Sequence, residues 1–284
     1  MAPSIRLVDD HAVMYYRDMA SGVLKLGGVA VHKTGAGPGM VLLHSNGGDH
    51  RDFDAIIPAL ARRRTVYAID WPGHGDSDPA ADVTACGLAD LLPSLLEDLG
   101  GGPFVLVGNS VGGFAALRTA LARPDLVSRL VLVDPGGFTP RTPFMFATCR
   151  LFGSERVAPT VMRQLPRLYL RRPGPGVAAV RERAATASRS PGQVDTFAAM
   201  WRSFADPAHD GRRGAEQLTV PTLLIWGKRD PVLPWLIDGR RAAKALPGST
   251  VVTMPCGHQP HIEMPEDFLK VLEEFLAEPT PASA

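Results

Sequence analysis

Three residue types that together activate an oxygen nucleophile occur at separate points of the sequence. Ser110 lies in the pentapeptide Gly-Asn-Ser-Val-Gly at residues 108–112, between an apolar run and a helix-like stretch. Glycines on both sides of a serine permit a tight strand-to-helix turn that exposes the hydroxyl. The alternative is a serine that only begins a helix. A serine hydroxyl is a weak nucleophile, so the chemistry also needs a base and a group that orients the base.

Two segments near the C-terminus supply these partners. Asp230 follows the apolar run of residues 220–227, and His258 follows the run of residues 249–255. Each of the three side chains comes directly after a predicted strand, and the carboxyl ends of parallel strands meet at one edge of a sheet. The sequence therefore predicts acyl transfer in which His258 takes the proton of Ser110 and Asp230 orients the imidazole.

Short apolar runs alternate with helix-like segments, which is typical of parallel strands joined by crossover helices. An N-terminal hairpin is predicted over residues 13–34 with its turn near Ser21-Gly22, and an amphipathic helix is predicted from Pro265 to Leu276. The other predicted strands are 40–45, 65–70, 104–109, 129–134, 220–227 and 249–255.

Residues 138–216 interrupt this alternation, because they contain helical segments and no convincing strand. A helical insertion between two strands of one sheet predicts a cap over the site. The predicted division is a core of residues 1–137 and 217–276, this cap, and a disordered tail of residues 277–284.

The predicted cap carries thirteen arginines, no lysine and six acidic residues. A basic cap would attract an anionic substrate, although arginines on helices usually lie on the solvated face. Arg150 and Arg163 lie in its more apolar helical stretches and are the candidates for contact with the substrate.

Composition excludes several classes of protein. A chain of 284 residues with 45% hydrophobic content suffices for one large core, and a net charge of +1 gives no sign of nucleic-acid binding. Three widely spaced cysteines fit neither a disulfide framework nor a zinc site. No apolar run reaches the length of a membrane span, and the N-terminal residues are charged, so we expect a cytoplasmic protein without membrane contact. A monomer or homodimer without metal or organic cofactor is expected.

Together these motifs resemble the α/β-hydrolase fold superfamily, in particular its capped serine esterases and C–C hydrolases. The similarity runs from about residue 13 to residue 276. It implies a mostly parallel eight-stranded sheet flanked by helices, with a helical cap inserted after strand 6. The motifs that carry it are the serine pentapeptide, LLHSNGG (42–48), DWPGHGDSD (70–78), WGKRDPVLP (226–234) and GHQPHIEMPEDF (257–268).

The resemblance also implies an oxyanion hole formed by the backbone N–H groups of Val111 and Asn46. The N–H of Val111 begins a helix, where negative charge is stabilised. The family usually has glycine after the histidine of LLH, whereas this chain has Ser45. Ser45 and Asn109 are therefore further possible contacts of the substrate.

The predicted reaction is hydrolysis of a carboxylic or thiol ester through an acyl-enzyme on Ser110, with a small ester-like molecule as substrate. The same triad would also serve a C–C bond hydrolase, or a perhydrolase or acyltransferase that passes the acyl group to a peroxide or an alcohol. A slow-turnover ligand receptor of the same fold is an alternative of another class. Some relatives carry their acid at the position of Asp134, which is thus an alternative to Asp230.

Overall fold

A computed structural model describes residues 21–278, which form an eight-stranded sheet flanked by helices. The strands are β1 (Ser21–Leu26), β2 (Val29–Thr34), β3 (Gly39–Leu43), β4 (Thr65–Asp70), β5 (Phe104–Asn109), β6 (Val127–Val133), β7 (Thr222–Gly227) and β8 (Thr250–Met254). The α-helices are α1 (Ile57–Leu60), α2 (Ala85–Leu99), α3 (Val111–Ala122), α4 (Pro143–Phe152), α5 (Ala158–Tyr169), α6 (Pro175–Ala187), α7 (Pro191–Ser203), α8 (Arg240–Ala245), α9 (Pro260–Glu263) and α10 (Pro265–Ala277).

The strand order is β1-β2-β4-β3-β5-β6-β7-β8. β1 pairs with β2 and β2 pairs with β4 in antiparallel register, and the pairings from β4 through β8 are parallel. Parallel strands end at the same edge, so the loops after β3, β5, β6, β7 and β8 meet there. The predicted mostly parallel eight-stranded sheet is confirmed.

Two apolar layers cover the sheet, because successive residues of a strand point to opposite faces. In β3, Val41 and Leu43 belong to the layer that contains α2 and α3, while Met40 and Leu42 belong to the layer that contains α10. Every residue of β3 is buried, as expected of a strand covered on both faces. The sheet is thus a rigid platform for the loops at its carboxyl edge.

The N-terminal hairpin differs from its prediction. Its turn lies at Gly27-Gly28, with φ of 54° and 85°, and not near Ser21-Gly22. A tight antiparallel turn needs positive φ, and this glycine pair supplies it without steric cost. Residues 13–20 of the predicted hairpin and residues 279–284 of the predicted tail lie outside the described residues.

Four helices, α4–α7, occupy the chain between β6 and β7. Their own small apolar core includes Met162 of α5 and Phe197 of α7. We call α4–α7 the inserted helices, and the boundaries 138 and 216 stay predictions. Within residues 21–278, none of the helices combines the length and apolar character needed to cross a membrane.

Candidate active site

Ser110 forms the turn between β5 and α3. Its backbone has φ 55° and ψ −115°, a positive φ that residues other than glycine rarely adopt. Its N–H donates to the carbonyl of Val133 (3.0 Å), and its carbonyl accepts from the N–H of Gly136 (2.9 Å). Strained backbone persists only where the surrounding structure holds it, and it clusters at functional sites. The turn has the geometry of a nucleophile elbow.

Gly108 and Gly112 permit this turn, because the neighbouring backbone leaves no room for a side chain. A Cβ on Gly108 would lie 2.4 Å from the carbonyl oxygen of Gly112, and a Cβ on Gly112 would lie 2.3 Å from the carbonyl oxygen of Leu43. Both distances are far below van der Waals contact. The glycines therefore have the structural role that the sequence predicts, and α3 begins directly after Ser110.

His258 and Asp230 form a buried hydrogen-bonded pair. Nδ1 of His258 lies 2.6 Å from Oδ2 of Asp230, and the two side chains are 5% and 0% exposed. Oδ1 of Asp230 accepts from the N–H groups of Val232 (2.7 Å) and Leu233 (3.1 Å). These donors fix the carboxylate and stabilise its charge. The contact at Nδ1 leaves Nε2 as the nitrogen that can accept a proton.

Asp134 lies beside this pair and has a different partner. Its Oδ1 accepts from the N–H of Gly227 (2.9 Å), and one ligand atom each of Asp134, Asp230 and His258 lies within 4.8 Å of the other two. Burial raises the pKa of Asp134 well above its usual range, and the charge of Asp230 raises it further. Asp134 therefore favours its neutral form, which can donate to Asp230. The geometry supports Asp230 as the partner of the imidazole.

Tyr169 and Asn109 hold the loop that carries His258. Its N–H donates to the carbonyl of Tyr169 (3.0 Å) at the end of α5, and the two rings meet edge to face with centroids 5.5 Å apart. Its carbonyl accepts from Nδ2 of Asn109 (3.1 Å), which also donates to the carbonyl of Val133 (3.0 Å). Asn109 is fully buried and both of its N–H groups are used. Asn109 thus ties the turn of Ser110 to the loop of His258, and its contact with a substrate stays a prediction.

Sequence reasoning did not identify Tyr169. Its contribution is a backbone carbonyl from a segment far away in the chain, and such a contact leaves no motif. The sequence offered one related signal, which is the aromatic residue at the last position of α5.

The loop after β3 carries Asn46 and Ser45. Nδ2 of Asn46 donates to the carbonyl of Phe197 (3.2 Å) in α7, while its Oδ1 is buried without a hydrogen-bond partner among the described residues. Ser45 is buried, and its Oγ accepts from Nε2 of Gln259 (3.1 Å), a residue that sequence reasoning passed over. Val111 is the first residue of α3, so its N–H has no acceptor within the helix. The predicted roles of Ser45, Asn46 and Val111 toward a substrate stay predictions.

Arg150 and Arg163 lie on the exposed sides of α4 and α5. Each directly follows a buried residue, Cys149 or Met162. Consecutive residues of a helix point about 100° apart, so the buried neighbours turn both arginines toward solvent. The phase of the two helices could not be read from their composition, and the contact of Arg150 and Arg163 with a substrate stays a prediction.

An ion pair connects α6 to the turn beyond Asn46. Nη2 of Arg183 lies 2.5 Å from Oδ1 of Asp52, and its Nε lies 3.5 Å from Oδ2 of Asp49. Burial and the charge of Asp49 together raise the pKa of Asp52 to about 7, although Arg183 opposes both effects. The inserted helices are thus fixed to the core beside the Asn46 loop by a charged contact.

Known proteins share this architecture. Residues 40–271 match the model of the Alpha/beta hydrolase family. The sn-1-specific diacylglycerol lipase ABHD11 of Mus musculus is 31% identical, over 84% of this chain and 81% of that protein. The 2-hydroxymuconate semialdehyde hydrolase of Pseudomonas sp. strain CF600 is 30% identical, over 87% of this chain and 90% of that protein.

A solved structure is similar along nearly the whole chain. The thermophilic esterase from Thermogutta terrifontis, solved with malate bound, superposes with a TM-score of 0.76 at 26% identity. The match covers 87% of this chain and 92% of that one.

Proposed function

Because the chain belongs to the alpha/beta hydrolase family, we propose that it hydrolyses carboxylic or thiol esters through an acyl-enzyme on Ser110. One observation carries the proposal: the imidazole of His258 bonds Asp230 at 2.6 Å, and its loop is tied through Asn109 to the strained turn of Ser110. The relatives support the ester as the bond that is cleaved, since one is named a lipase and another an esterase.

Acylation begins when the Oγ of Ser110 attacks the carbonyl carbon of the ester. Nε2 of His258 accepts the hydroxyl proton, and Asp230 stabilises the resulting imidazolium and holds its tautomer. The N–H groups of Val111 and Asn46 stabilise the negative oxygen of the tetrahedral intermediate. The imidazolium then returns its proton to the leaving alcohol or thiol, and the acyl group stays on Ser110.

Deacylation repeats the same steps with water as the nucleophile. His258 removes a proton from the water, the tetrahedral intermediate forms again, and its collapse releases the acid and restores the hydroxyl of Ser110. No step requires a group from outside the chain other than water.

A second candidate is hydrolysis of a C–C bond beside a carbonyl group. The 2-hydroxymuconate semialdehyde hydrolase, at 30% identity, is the observation that favours it. Both reactions would use Ser110, Asp230 and His258, so the triad alone does not separate them.

The test is a substrate panel with Ser110→Ala as its blank. Purified protein is assayed on p-nitrophenyl esters of graded acyl length, on thioesters, and on a vinylogous diketone. It is also treated with a fluorophosphonate that labels activated serines, and the labelled peptide is identified by mass spectrometry. We expect ester turnover to fall by roughly 10³- to 10⁶-fold in Ser110→Ala, with the label on Ser110 in the wild type.

Ser94→Ala is the matched control, since Ser94 is exposed on α2 and its hydroxyl donates only within its own helix, to the carbonyl of Leu91. More than a tenth of wild-type turnover in Ser110→Ala would remove Ser110 from the mechanism. Faster turnover of the diketone than of every ester would replace the ester by the C–C bond. Labelling of Ser110 with slow turnover of all substrates would favour a ligand receptor.

A further inference from the structure

A second group of histidine and aspartate side chains lies on elements that the proposed reaction does not use. His32 of β2 pairs with Ala68 of β4, so Asp70, two residues further along β4, points to the same face as His32. His50 begins the short 3-10 helix of residues 50–53, and Asp76 lies in the loop after β4. We call His32, His50, Asp70 and Asp76 the β2–β4 cluster.

The ligand atoms of this cluster converge. One nitrogen or oxygen from each of the four side chains lies within 4.8 Å of the other three. Nε2 of His32 is 3.2 Å from Oδ2 of Asp70 and 3.4 Å from Oδ2 of Asp76, and Nδ1 of His50 is 2.9 Å from Oδ2 of Asp70. Four ligands at about 2.0 Å from a tetrahedral ion lie about 3.3 Å apart, so these separations match a metal site.

Backbone groups already position the buried carboxylate. Oδ1 of Asp70 accepts from the N–H of His50 (2.6 Å), and Oδ2 accepts from the N–H of Asp76 (2.8 Å). Outer hydrogen bonds of this kind orient metal ligands and are part of built sites. Asp70 is 0% exposed and Asp76 is 63% exposed, so the cluster has a fixed inner ligand and an outer ligand that an ion can reach from solvent.

We propose that the β2–β4 cluster binds one divalent transition-metal ion, with Zn²⁺ as the best match. Two imidazoles and two carboxylates form the mixed nitrogen and oxygen set that Zn²⁺ accepts, whereas Mg²⁺ and Ca²⁺ prefer oxygen ligands alone. The imidazole rings of His32 and His50 stack with centroids 3.4 Å apart, so one ring must tilt before both lone pairs point at one ion. Sequence analysis predicts no metal, because these four residues fit no ligand-spacing motif.

The ion would join three parts of the chain. It would fasten β2 and the end of β4 to the turn at His50, four residues beyond Asn46. An ion that binds only the folded state raises stability by mass action. The ion would therefore have a structural role beside the Asn46 loop, and the metal-site proposal does not rest on the proposed hydrolysis.

The experiment measures metal binding by the full chain after chelator treatment. Co²⁺ is titrated at about pH 7 and followed by its visible absorption, and Zn²⁺ is titrated by calorimetry and by its effect on the melting temperature. We expect one ion per chain, tetrahedral Co²⁺ absorption and a higher melting temperature. Asp76→Asn should weaken Zn²⁺ binding by at least about tenfold, and His32→Ala should weaken it by at least about 100-fold.

Two control variants separate the possible sites. Asp78→Asn changes a nearby exposed acid that pairs with Lys25, and it should bind Zn²⁺ like the wild type. His258→Ala should also bind Zn²⁺ like the wild type; loss of binding there would move the ion to Asp134 and Asp230. Binding that is not saturable, or that is unchanged in Asp76→Asn and His32→Ala, would overturn the proposal and leave the cluster as a set of hydrogen bonds. The side chain of Asp76 is exposed, so we expect Asp76→Asn to fold, and its Zn²⁺ binding can be compared directly with that of the wild type.

Discussion

Two buried carboxylates, Asp230 in the loop after β7 and Asp70 at the end of β4, form similar hydrogen bonds but differ in the groups that surround them. Both side chains are 0% exposed, both accept hydrogen bonds from backbone N–H groups, and both contact Nδ1 of an imidazole, at 2.6 Å and 2.9 Å. Asp230 contacts one buried imidazole, that of His258, at the carboxyl edge of the parallel strands. Asp70 lies where β2 and β4 run antiparallel, between two imidazoles and an exposed aspartate.

The difference shows that the environment, and not the residue type, decides the chemistry. A single buried imidazole that contacts a carboxylate through Nδ1 has its Nε2 free to accept and return a proton. Two imidazoles and two carboxylates with access to solvent can replace the hydration shell of a cation. Burial raises the pKa of Asp70, but the hydrogen bond from His50 and those from backbone N–H groups outweigh it, and the pKa lies below its usual range. Asp70 therefore favours its charged form in the folded protein.

Asn substitution at Asp230 should have the largest effect on activity. Asp230→Asn keeps the shape and removes the charge that stabilises the imidazolium, so we expect kcat to fall by about 10⁴-fold while the melting temperature stays within a few degrees. Steady-state kinetics and thermal unfolding measure the two quantities. The matched variant is Asp134→Asn, which can still accept from Gly227 and donate to Asp230 and should cost less than about tenfold. If Asp134→Asn were the more damaging variant, Asp134 would be the catalytic acid.

Asn substitution at Asp70 should act on stability instead. Asp70→Asn places an N–H₂ group where a carboxylate oxygen accepts from backbone, and one buried N–H of His50 or Asp76 loses its partner. We expect the free energy of unfolding to fall by about 3 kcal/mol, measured by urea denaturation, with kcat of the folded protein reduced less than about tenfold. If Asp70→Asn lowered kcat as much as Asp230→Asn, the two carboxylates would act in one site, and the distinction between them would be wrong.

The residues of the candidate active site could be predicted because each of their sequence signals lies within one short segment. Ser110, Asp230 and His258 each follow an apolar run, and the ends of parallel strands meet whatever the details of the loops. Contacts that come from packing were not predictable in the same way. Tyr169 acts through its backbone carbonyl, and Gln259 lies in the motif at 257–268 but bonds Ser45 from a distant part of the chain, so only the folded chain reveals these contacts.

The β2–β4 cluster was not predictable, because it depends on register. His32 and Asp70 come together through the antiparallel pairing of β2 with β4, and His50 joins them from the short 3-10 helix that follows β3. A hairpin turn expected near Ser21-Gly22, six residues before Gly27-Gly28, also misplaces His32 against its neighbours. The end of a strand can be predicted from one segment of the sequence, whereas strand register depends on how two segments pair.

His261 offers the smallest and most specific test, since it is a buried imidazole without a carboxylate partner. Its ring stacks on Phe53 at 4.9 Å and meets the edge of Phe268 at 5.8 Å, and neither ring nitrogen has a hydrogen-bond partner among the described residues. Burial, with a smaller contribution from the neighbouring His258, lowers the pKa of His261 to about 3. The imidazole therefore stays neutral where an unfolded chain would protonate it.

The sign of the pH effect follows from proton counts. Between pH 6.5 and pH 3 the unfolded chain binds a proton at His261 that the folded chain does not, so stability is lost as pH falls through this range. From pH 7 to pH 4.5 the contribution is about 2 kcal/mol. His261→Phe keeps an aromatic ring between Phe53 and Phe268 and removes the titration, so its free energy of unfolding should fall less over this range than that of the wild type. Urea denaturation at several pH values measures both curves, and parallel curves would show that His261 binds its proton at the same pH in the folded and unfolded chain, so that burial does not lower its pKa.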